Sequence, residues 1–312
     1  MTPQNYNVIF MGTPEFAVPS LRALIADPRF NIRMVITQPD RPAGRGQEIT
    51  KSPITEVALE KGLPILQPET AKNNPELVRA IASIHPDVIV VVAYGKILPQ
   101  EILNIPEKGI INVHASLLPK YRGASPISAA IINGDAEAGV TIMKMDLEMD
   151  TGPIIGENKK IDISQADTTP SLSTKLANLG ADALIEYLPK YLDGEISPVP
   201  QNEDEATYVQ LIEKEDGLVN WNESEDIIVR KVRAYNPWPS TYTFFKGEPL
   251  KLLEVEYSPE IRGGAGIAEI VEGDLYIGKI KIVRIQPAGK KSMSGGDFVS
   301  GHADIVGFDF KS

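Results

Sequence analysis

Cysteine is absent from the chain of 312 residues, and histidine occurs only at His85, His114 and His302. The lack of cysteine excludes disulfides, thiolate metal sites and cysteine nucleophiles, and it agrees with a reducing compartment. Three histidines are few for a histidine-rich metal centre. We therefore expect a protein that holds no metal.

Long apolar runs are also missing. No stretch approaches the roughly 18 apolar residues that a membrane span requires. The opening MTPQNYNVIFMG has neither the basic end nor the long apolar stretch of a signal peptide. We expect a cytoplasmic protein that does not enter a membrane.

Positive charge is in deficit, because 31 lysines and arginines stand against 42 aspartates and glutamates, which gives a net charge of −11. This balance argues against a protein that coats nucleic acid, since such binding needs cations to neutralise phosphates. A local basic surface is still compatible with it. The apolar share of 42% and the charged share of 23% are typical of a folded chain, and the length suits two domains.

Residues 1–192 predict strands that alternate with helices. Strands are expected at Val8–Met11, Ile32–Thr37, Val88–Val92, Ile110–His114 and Val140–Met145. Helices are expected at Phe16–Ala26, Pro53–Lys61, Pro75–Ile84, Ser125–Asn133 and Thr168–Leu192. The run VIVVV is apolar on both faces, as in the central strand of a sheet covered by helices on both sides. The fold class that follows is α/β, with an open, mostly parallel sheet.

The sequence changes character after residue 192. Residues 193–207, DGEISPVPQNEDEAT, combine glycine, proline and acids without periodicity and are interpreted as an interdomain linker. Residues 208–312 predict a helix at Ser224–Ala234 and then short strands between Gly and Pro turns. These strands are expected at Tyr242–Phe245, Leu250–Tyr257, Gly266–Val271, Leu275–Ile277 and Lys279–Gln286. The pattern predicts a smaller C-terminal β-barrel that is similar to an OB fold.

The chemistry is expected where one strand ends. Asn112 and His114 are two residues apart at the end of the strand predicted at Ile110–His114, so their side chains project from the same face. In open α/β sheets, ligands bind beyond the carboxyl ends of the strands. A polar pair in such a strand costs free energy unless it is hydrogen-bonded or functional. The spacing therefore indicates either a catalytic pair or two satisfied polar groups of the core.

Two loops extend this candidate site. Ser116 and the backbone of SLLP can meet a polar ligand, while Lys120 and Arg122 either attract an anion or are solvated loop charges. In MDLEMDTG, Asp150 precedes a Thr-Gly turn, and loops of this kind often carry functional groups. The spacing of the acids does not by itself select Asp150. Asp146 and Glu148 are expected to be surface acids.

These motifs carry a family resemblance. NVHASLLPKYRGASPI together with MDLEMDTGPII resembles the formyltransferases that use 10-formyltetrahydrofolate. In that family an Asn, a His two residues on, an SLLP-x-x-RG loop and a later Asp-x-Gly form the catalytic core. The resemblance therefore implies Asn112, His114 and Asp150 as catalytic residues. Residues 128–130 depart from the family, because many relatives have a bulky side chain there, which concerns local packing.

Further segments are similar to the branch of the family whose acceptor is methionyl initiator tRNA. They are VIFMGTPEFAVPSL, TQPDRPAGRG, RAYNPWP and QPAGKKSMSGGDF. The resemblance implies direct attack of the methionine α-amino group on the formyl carbon through a tetrahedral intermediate, for translation initiation. Nothing in the sequence demands a dimer, so we expect a monomer. Asn112 and His114 would donate to the developing oxyanion, His114 would protonate the leaving N10 atom, and Asp150 would orient His114 and help to deprotonate the amine.

The resemblance also implies two sets of binding residues. The folate is expected at the end of the central strand and at the SLLP loop, namely at Ala93, Tyr94, Gly95, Ser116, Leu117, Leu118 and Pro119. For Tyr94 and Gly95, an ordinary exit from a strand into a loop fits the residues equally well. Arg41 and Arg45 of DRPAGRG are expected to contact tRNA, although a surface loop with incidental charges would have the same composition. The C-terminal barrel at residues 208–312 is also expected to bind tRNA, since a small barrel suits nucleic-acid binding.

Other protein classes fit the sequence less well. A dinucleotide-binding oxidoreductase would need a three-glycine fingerprint, which the GTPEF turn lacks. A folate-dependent hydrolase or a sugar-amine formyltransferase would reuse the catalytic core but would not need the DRPAGRG loop. A purine-pathway formyltransferase would lack that loop and the C-terminal domain. A non-catalytic tRNA-binding protein would have no use for the complete Asn, His and Asp set.

Overall fold

A computed structural model describes residues 5–43 and 48–311. The chain divides into two compact units. The first consists of Met1–Gly123, Ala138–Ile161 and Ser173–Val209, and the second of Ala124–Glu137, Asp162–Leu172 and Gln210–Ser312. The domain boundaries expected at residues 192 and 207 stay predictions.

The elements as far as residue 209 are as follows. The strands are β1 (Tyr6–Gly12), β2 (Phe30–Ile36), β3 (Arg41–Ala43), β4 (Glu48–Thr50), β5 (Ile65–Leu66), β6 (Val88–Val92), β7 (Ile110–His114), β8 (Arg122–Gly123), β9 (Glu137–Lys144), β10 (Lys159–Asp162) and β11 (Tyr208–Val209). The helices are α1 (Val18–Ala26), α2 (Pro53–Glu60), α3 (Pro75–Ile84), α4 (Gln100–Leu103), α5 (Pro126–Asn133) and α6 (Thr169–Leu192). Short 3-10 helices lie at Glu15–Ala17 and Glu203–Glu205.

The main sheet of the first unit has the strand order β10-β9-β7-β6-β1-β2-β5. The pairs β1–β2, β1–β6, β2–β5 and β6–β7 are parallel, and β7–β9 is antiparallel. The predicted α/β class with a mostly parallel sheet is therefore confirmed. β6 is the central strand and all five of its residues are buried, as its doubly apolar pattern indicated. The carboxyl ends of β1, β6 and β7 consequently meet along one edge of the sheet.

Local signals set where the helices begin. Ser52 precedes Pro53 of α2, and its Oγ accepts a hydrogen bond from the Thr55 N–H. Asn74 caps α3 in the same way through the Leu77 N–H. Each cap satisfies a donor of the first turn that has no partner within the helix. The helix expected at Phe16–Ala26 instead starts as a 3-10 turn and becomes α-helical at Val18.

The second unit contains an antiparallel sheet. Its elements beyond residue 209 are α7 (Glu225–Tyr235), β12 (Thr241–Phe245), β13 (Glu248–Tyr257), β14 (Ala268–Val271), β15 (Asp274–Ile277), β16 (Ile280–Pro287), β17 (Met293–Ser294) and α8 (Gly295–Gly301), with 3-10 helices at Glu215–Gly217 and Ala303–Ile305. The strand order is β12-β13-β16-β15-β14, and β17 pairs with β16. The predicted smaller C-terminal β domain is confirmed, and its strands are antiparallel. Within residues 5–43 and 48–311, no helix is both long and apolar enough to cross a membrane.

Candidate active site at the carboxyl end of the sheet

β7 places Asn112 and His114 on one face of the sheet, two residues apart. Asn112 pairs in register with Val91 of β6 and Met143 of β9, and His114 with Thr141. His114 is only 6% exposed, whereas Asn112 is half-buried. Among the described residues, the Asn112 amide has no hydrogen-bond partner. The two side chains therefore differ, because His114 is held inside the protein and the Asn112 amide is open to a ligand.

The imidazole of His114 is fixed from both sides. Its Nε2 atom lies 3.0 Å from the carbonyl oxygen of Tyr121. Its Nδ1 atom lies 3.6 Å from Oδ2 of Asp150, an ion-pair distance slightly longer than a hydrogen bond. A carbonyl oxygen can only accept, so Nε2 carries the hydrogen in this contact. Nδ1 is thus the ring atom that remains for proton exchange.

Asp150 is held by the backbone around it. Its Oδ2 atom accepts a hydrogen bond of 2.9 Å from the Gly123 N–H, and its side chain is 14% exposed. Its φ angle of 57° lies in the left-handed region, which Asp tolerates better than most residues. Gln201 Nε2 donates to the Asp150 carbonyl oxygen at 2.7 Å. The structure therefore places Asp150 against His114, which shares a strand face with Asn112.

The SLLP loop is held by a hydrogen bond within the loop and by two hydrogen bonds to Thr141 of β9. The Ser116 hydroxyl donates to the Lys120 carbonyl oxygen at 2.5 Å. Thr141 Oγ1 donates to the Ser116 carbonyl oxygen at 2.7 Å and accepts from the Leu118 N–H at 3.0 Å. Ser116 and Leu118 are buried, while Leu117 and Pro119 are half-exposed. Of the four residues expected to contact folate here, Leu117 and Pro119 are the ones that present surface.

Arg122 lies in the same loop, but it is neither an anion-attracting charge at the surface nor a solvated one. Its side chain is fully buried and forms a salt bridge with Glu203. Hydrogen bonds to Glu203 raise the pKa of Arg122, and the same contact lowers the pKa of the largely exposed Glu203 carboxyl. Lys120 is exposed, as expected of a solvated charge. Sequence reasoning missed this role of Arg122 because Glu203 is 81 residues away.

The three residues that follow β6 differ in their exposure to solvent. Ala93 and Gly95 are exposed and have positive φ angles of 47° and 77°. Tyr94 between them is 2% exposed, and burial raises the pKa of its hydroxyl to about 12. Its carbonyl oxygen accepts from Gln38 Nε2 at 2.9 Å. Ala93 and Gly95 are therefore accessible to a ligand, whereas the Tyr94 ring belongs to the core.

Of the two arginines expected to contact tRNA, only Arg41 lies among the described residues. Arg41 is exposed at the start of β3, which pairs with β4 as a short antiparallel hairpin. Burial lowers the pKa of Lys96, and the nearby charge of Arg41 lowers it further. Lys96 lies four residues beyond the end of β6 at Val92. Arg45 lies outside the described residues. In the part of the chain that the structure describes, no group of three or more His, Asp or Glu side chains could hold a metal ion.

Comparison with known proteins identifies the family. Residues 5–188 match the model of the formyl transferase family, and residues 211–303 match that of the formyl transferase C-terminal domain. The chain is 45% identical over 300 residues to the methionyl-tRNA formyltransferase of Caldanaerobacter subterraneus subsp. tengcongensis, covering 95% of this chain and 96% of that protein. It is also 45% identical over 306 residues to the enzyme of the same name from Thermodesulfovibrio yellowstonii, covering 97% and 98%.

A solved structure shares the fold. The crystal structure of HypX from Aquifex aeolicus in complex with tetrahydrofolic acid matches with a TM-score of 0.62 at 16% identity, over 97% of this chain and 48% of that one. At this identity the likeness concerns the fold alone. The two family models together span most of the sequence and agree with the fold and the full-length relatives. The chain therefore belongs to the formyl transferase family, alongside the methionyl-tRNA formyltransferases, and is a formyl-transferring enzyme.

Proposed function

We propose that the protein transfers the formyl group of 10-formyltetrahydrofolate to the α-amino group of methionine esterified to initiator tRNA, for use in translation initiation. The observation that carries this proposal is an Asn112 amide without a partner among the described residues, on the same strand face as a buried His114 that contacts Asp150. The name of the relatives at 45% identity supports methionyl-tRNA as the acceptor.

The residues at the end of β6 fit a folate. Ala93 and Gly95 are exposed, and neither has a side chain large enough to cover the backbone. A planar heterocycle with polar edges can therefore reach backbone groups there, while Leu117 and Pro119 offer apolar contact. The Tyr94 ring, which is packed in the core, would hold this segment in place without touching the ligand. Bound at this edge, the co-substrate supplies an activated formyl group.

Each catalytic side chain has one task in the proposed reaction. The Asn112 amide donates a hydrogen bond to the formyl oxygen as negative charge develops on it. Removal of one such donor commonly lowers the rate by about 10²- to 10³-fold. The His114 ring, anchored through Nε2 to the Tyr121 carbonyl, exchanges a proton through Nδ1. Among the described residues, Oδ1 of Asp150 has no hydrogen-bond partner, so this oxygen is available to accept a proton or a water molecule.

The bonds and protons balance without a metal, an oxidant or a covalent enzyme intermediate. The methionine nitrogen forms a bond to the formyl carbon, and the bond from that carbon to N10 breaks. The amine loses one proton to the Asp150 and His114 pair, which returns a proton to N10. The products are formylmethionyl-tRNA and tetrahydrofolate.

The acceptor stem is proposed to lie against Arg41 and Arg45. Arg41 is exposed, and its charge lowers the pKa of Lys96, a residue just beyond the exit of β6. A net charge of −11 for the whole chain requires that any phosphate contacts be local. Binding through such contacts weakens as salt concentration rises. We also propose that the enzyme acts as a cytoplasmic monomer.

Acceptor competition tests this function. The purified protein is incubated with 10-formyltetrahydrofolate and, in separate reactions, methionyl initiator tRNA, free methionine or glycinamide ribonucleotide. Formyl transfer to the tRNA should exceed transfer to the other acceptors by orders of magnitude. Equal transfer to free methionine, or preference for glycinamide ribonucleotide, would contradict the proposed acceptor. Sedimentation of the same preparation tests the monomer.

A further inference from the structure

Arg122 is the largest fully buried side chain of the chain as described. Every polar atom of its guanidinium has a partner within the first unit. Nε donates to Gln201 Oε1 at 3.0 Å, Nη1 to Glu203 Oε2 at 2.8 Å and to the Tyr208 hydroxyl at 2.9 Å, and Nη2 to Glu203 Oε1 at 2.7 Å. A buried cation is stable only when it is paired and hydrogen-bonded in this way. All of these partners come from residues 199–209.

Gln201 connects this arginine to Asp150. It is 9% exposed, and its amide nitrogen donates 2.7 Å hydrogen bonds to the carbonyl oxygens of both Asp150 and Gly152. Its amide oxygen accepts from Arg122, so the orientation of the amide is fixed. The side chain therefore holds the turn that carries Asp150 at two points. It is not within hydrogen-bond distance of the Asp150 carboxylate itself.

The backbone of residues 199–209 fixes the other side of Asp150. β11 pairs with β8, and the Arg122 N–H donates to the Thr207 carbonyl oxygen at 2.8 Å. The Thr207 hydroxyl accepts from the Tyr121 N–H at 2.8 Å. Tyr121 supplies the carbonyl that anchors His114, and Gly123 supplies the N–H that binds the Asp150 carboxylate. Residues 199–209 therefore contact both segments that set the distance between His114 and Asp150.

We propose that Gln201 and Arg122 are positioning residues for formyl transfer, and that residues 199–209 hold Asp150 in register with His114. This inference rests on the proposed function of Asp150. The separation of 3.6 Å between His114 Nδ1 and Asp150 Oδ2 leaves little tolerance. A misplacement of about 1 Å in a catalytic group costs on the order of 10²-fold in rate. Asp150 also has a left-handed φ, which the surrounding contacts must maintain.

A double-mutant cycle tests this role. Single-turnover formyl transfer to methionyl-tRNA is measured for Gln201→Ala, Asp150→Asn and the combined variant. Gln201→Ala should lower the rate about 10- to 100-fold, with the KM values for both substrates within about twofold because it touches neither substrate. In the Asp150→Asn background the same change should cost less than about threefold, since the residue acts through Asp150. Equal losses in both backgrounds, an effect on KM alone, or a normal rate would overturn the proposal.

Two further variants guard against an effect on folding. Gln210→Ala makes the same change at an exposed glutamine nine residues on and should leave the rate unchanged. If Gln201→Ala does not fold, Gln201→Glu replaces it, because a carboxylate still accepts from Arg122 but cannot donate to the Asp150 and Gly152 carbonyls. Its rate should fall in the same way. A folded Gln201→Glu enzyme with normal turnover would overturn the proposal.

Hydrogen exchange provides a reading that does not depend on activity. Amides in residues 146–152 should exchange faster in Gln201→Ala than in the parent, and those of β6 should not change. Unaltered exchange in residues 146–152 would overturn the positioning role. If the parent enzyme transfers no formyl group to any acceptor, the proposed function fails, while the exchange experiment still decides whether Gln201 holds this turn.

Discussion

Thr141 offers a test of how the SLLP loop is held, because its buried hydroxyl makes two hydrogen bonds to the loop. It donates to the Ser116 carbonyl oxygen and accepts from the Leu118 N–H, and it lies 2.9 Å from Asn158 Oδ1. Valine has nearly the same shape but no hydroxyl. Thr141→Val would leave a buried N–H and a buried C=O without partners, at about 1–3 kcal/mol for each. We expect a loss of about 2–6 kcal/mol in the free energy of unfolding of the first unit.

Thr141→Ser is the matched control. It keeps the hydroxyl and removes one buried methyl group, which costs about 1 kcal/mol. The measurement is urea unfolding followed by circular dichroism, together with hydrogen exchange of the Leu118 amide. The valine variant should be clearly less stable than the serine variant, and its Leu118 amide should exchange faster. A valine variant as stable as the serine variant would refute the assignment of these hydrogen bonds as the support of the loop.

Further outcomes follow from other sites. Tyr94→Phe should unfold no more easily than the parent at pH 7, because the buried hydroxyl has no partner among the described residues. Burial raises the Tyr94 pKa to about 12, above the unfolded pKa near 10. Its contribution to the free energy of unfolding is therefore fully present below pH 10, and it falls as the pH rises towards 12 because the unfolded chain ionises first. Urea titrations should therefore show the parent losing about 2 kcal/mol more than Tyr94→Phe between pH 10 and 12, and parallel curves would contradict this. Arg41→Ala should raise the KM for methionyl-tRNA severalfold at low salt, without changing the KM for 10-formyltetrahydrofolate. If tRNA binding by the variant depended on salt as strongly as binding by the parent, this would contradict the phosphate contact. Gly152→Ala should destabilise the first unit, since a Cβ there would lie 1.9 Å from the Lys144 carbonyl oxygen. A variant that unfolds at the same temperature as the parent would contradict this.

The parts of the fold that the sequence predicted are those with a local periodic signal. The doubly apolar run at Val88–Val92 indicated a central strand covered on both faces, and β6 is the fourth of seven strands. The two-residue spacing of Asn112 and His114 predicted a shared face, which β7 confirms. The antiparallel addition of β9 was not foreseen, because strand direction depends on chain connections and not on composition.

Residues that act through distant partners could not be predicted. Arg122 is as polar as any solvated loop arginine, and only its pairing with Glu203 and Gln201 shows that it is buried. Residues 199–209 combine glutamates, proline and asparagine, which is typical of a linker, yet they form two-residue strands and single side-chain contacts too short to leave a periodic pattern. Asp150 was selected by family resemblance, and its contacts with Gly123 and His114 became visible only in the structure.

In the proposed reaction, the Asn112 amide stabilises the negative charge that develops on the formyl oxygen. This role is tested most directly by the single-turnover rate of formyl transfer to methionyl-tRNA in Asn112→Ala, with Asn104→Ala at an exposed position as control. The rate should fall about 10²- to 10³-fold in a folded Asn112→Ala protein that still binds both substrates, and it should stay normal in the control. A folded Asn112→Ala enzyme with the parent rate would contradict this role.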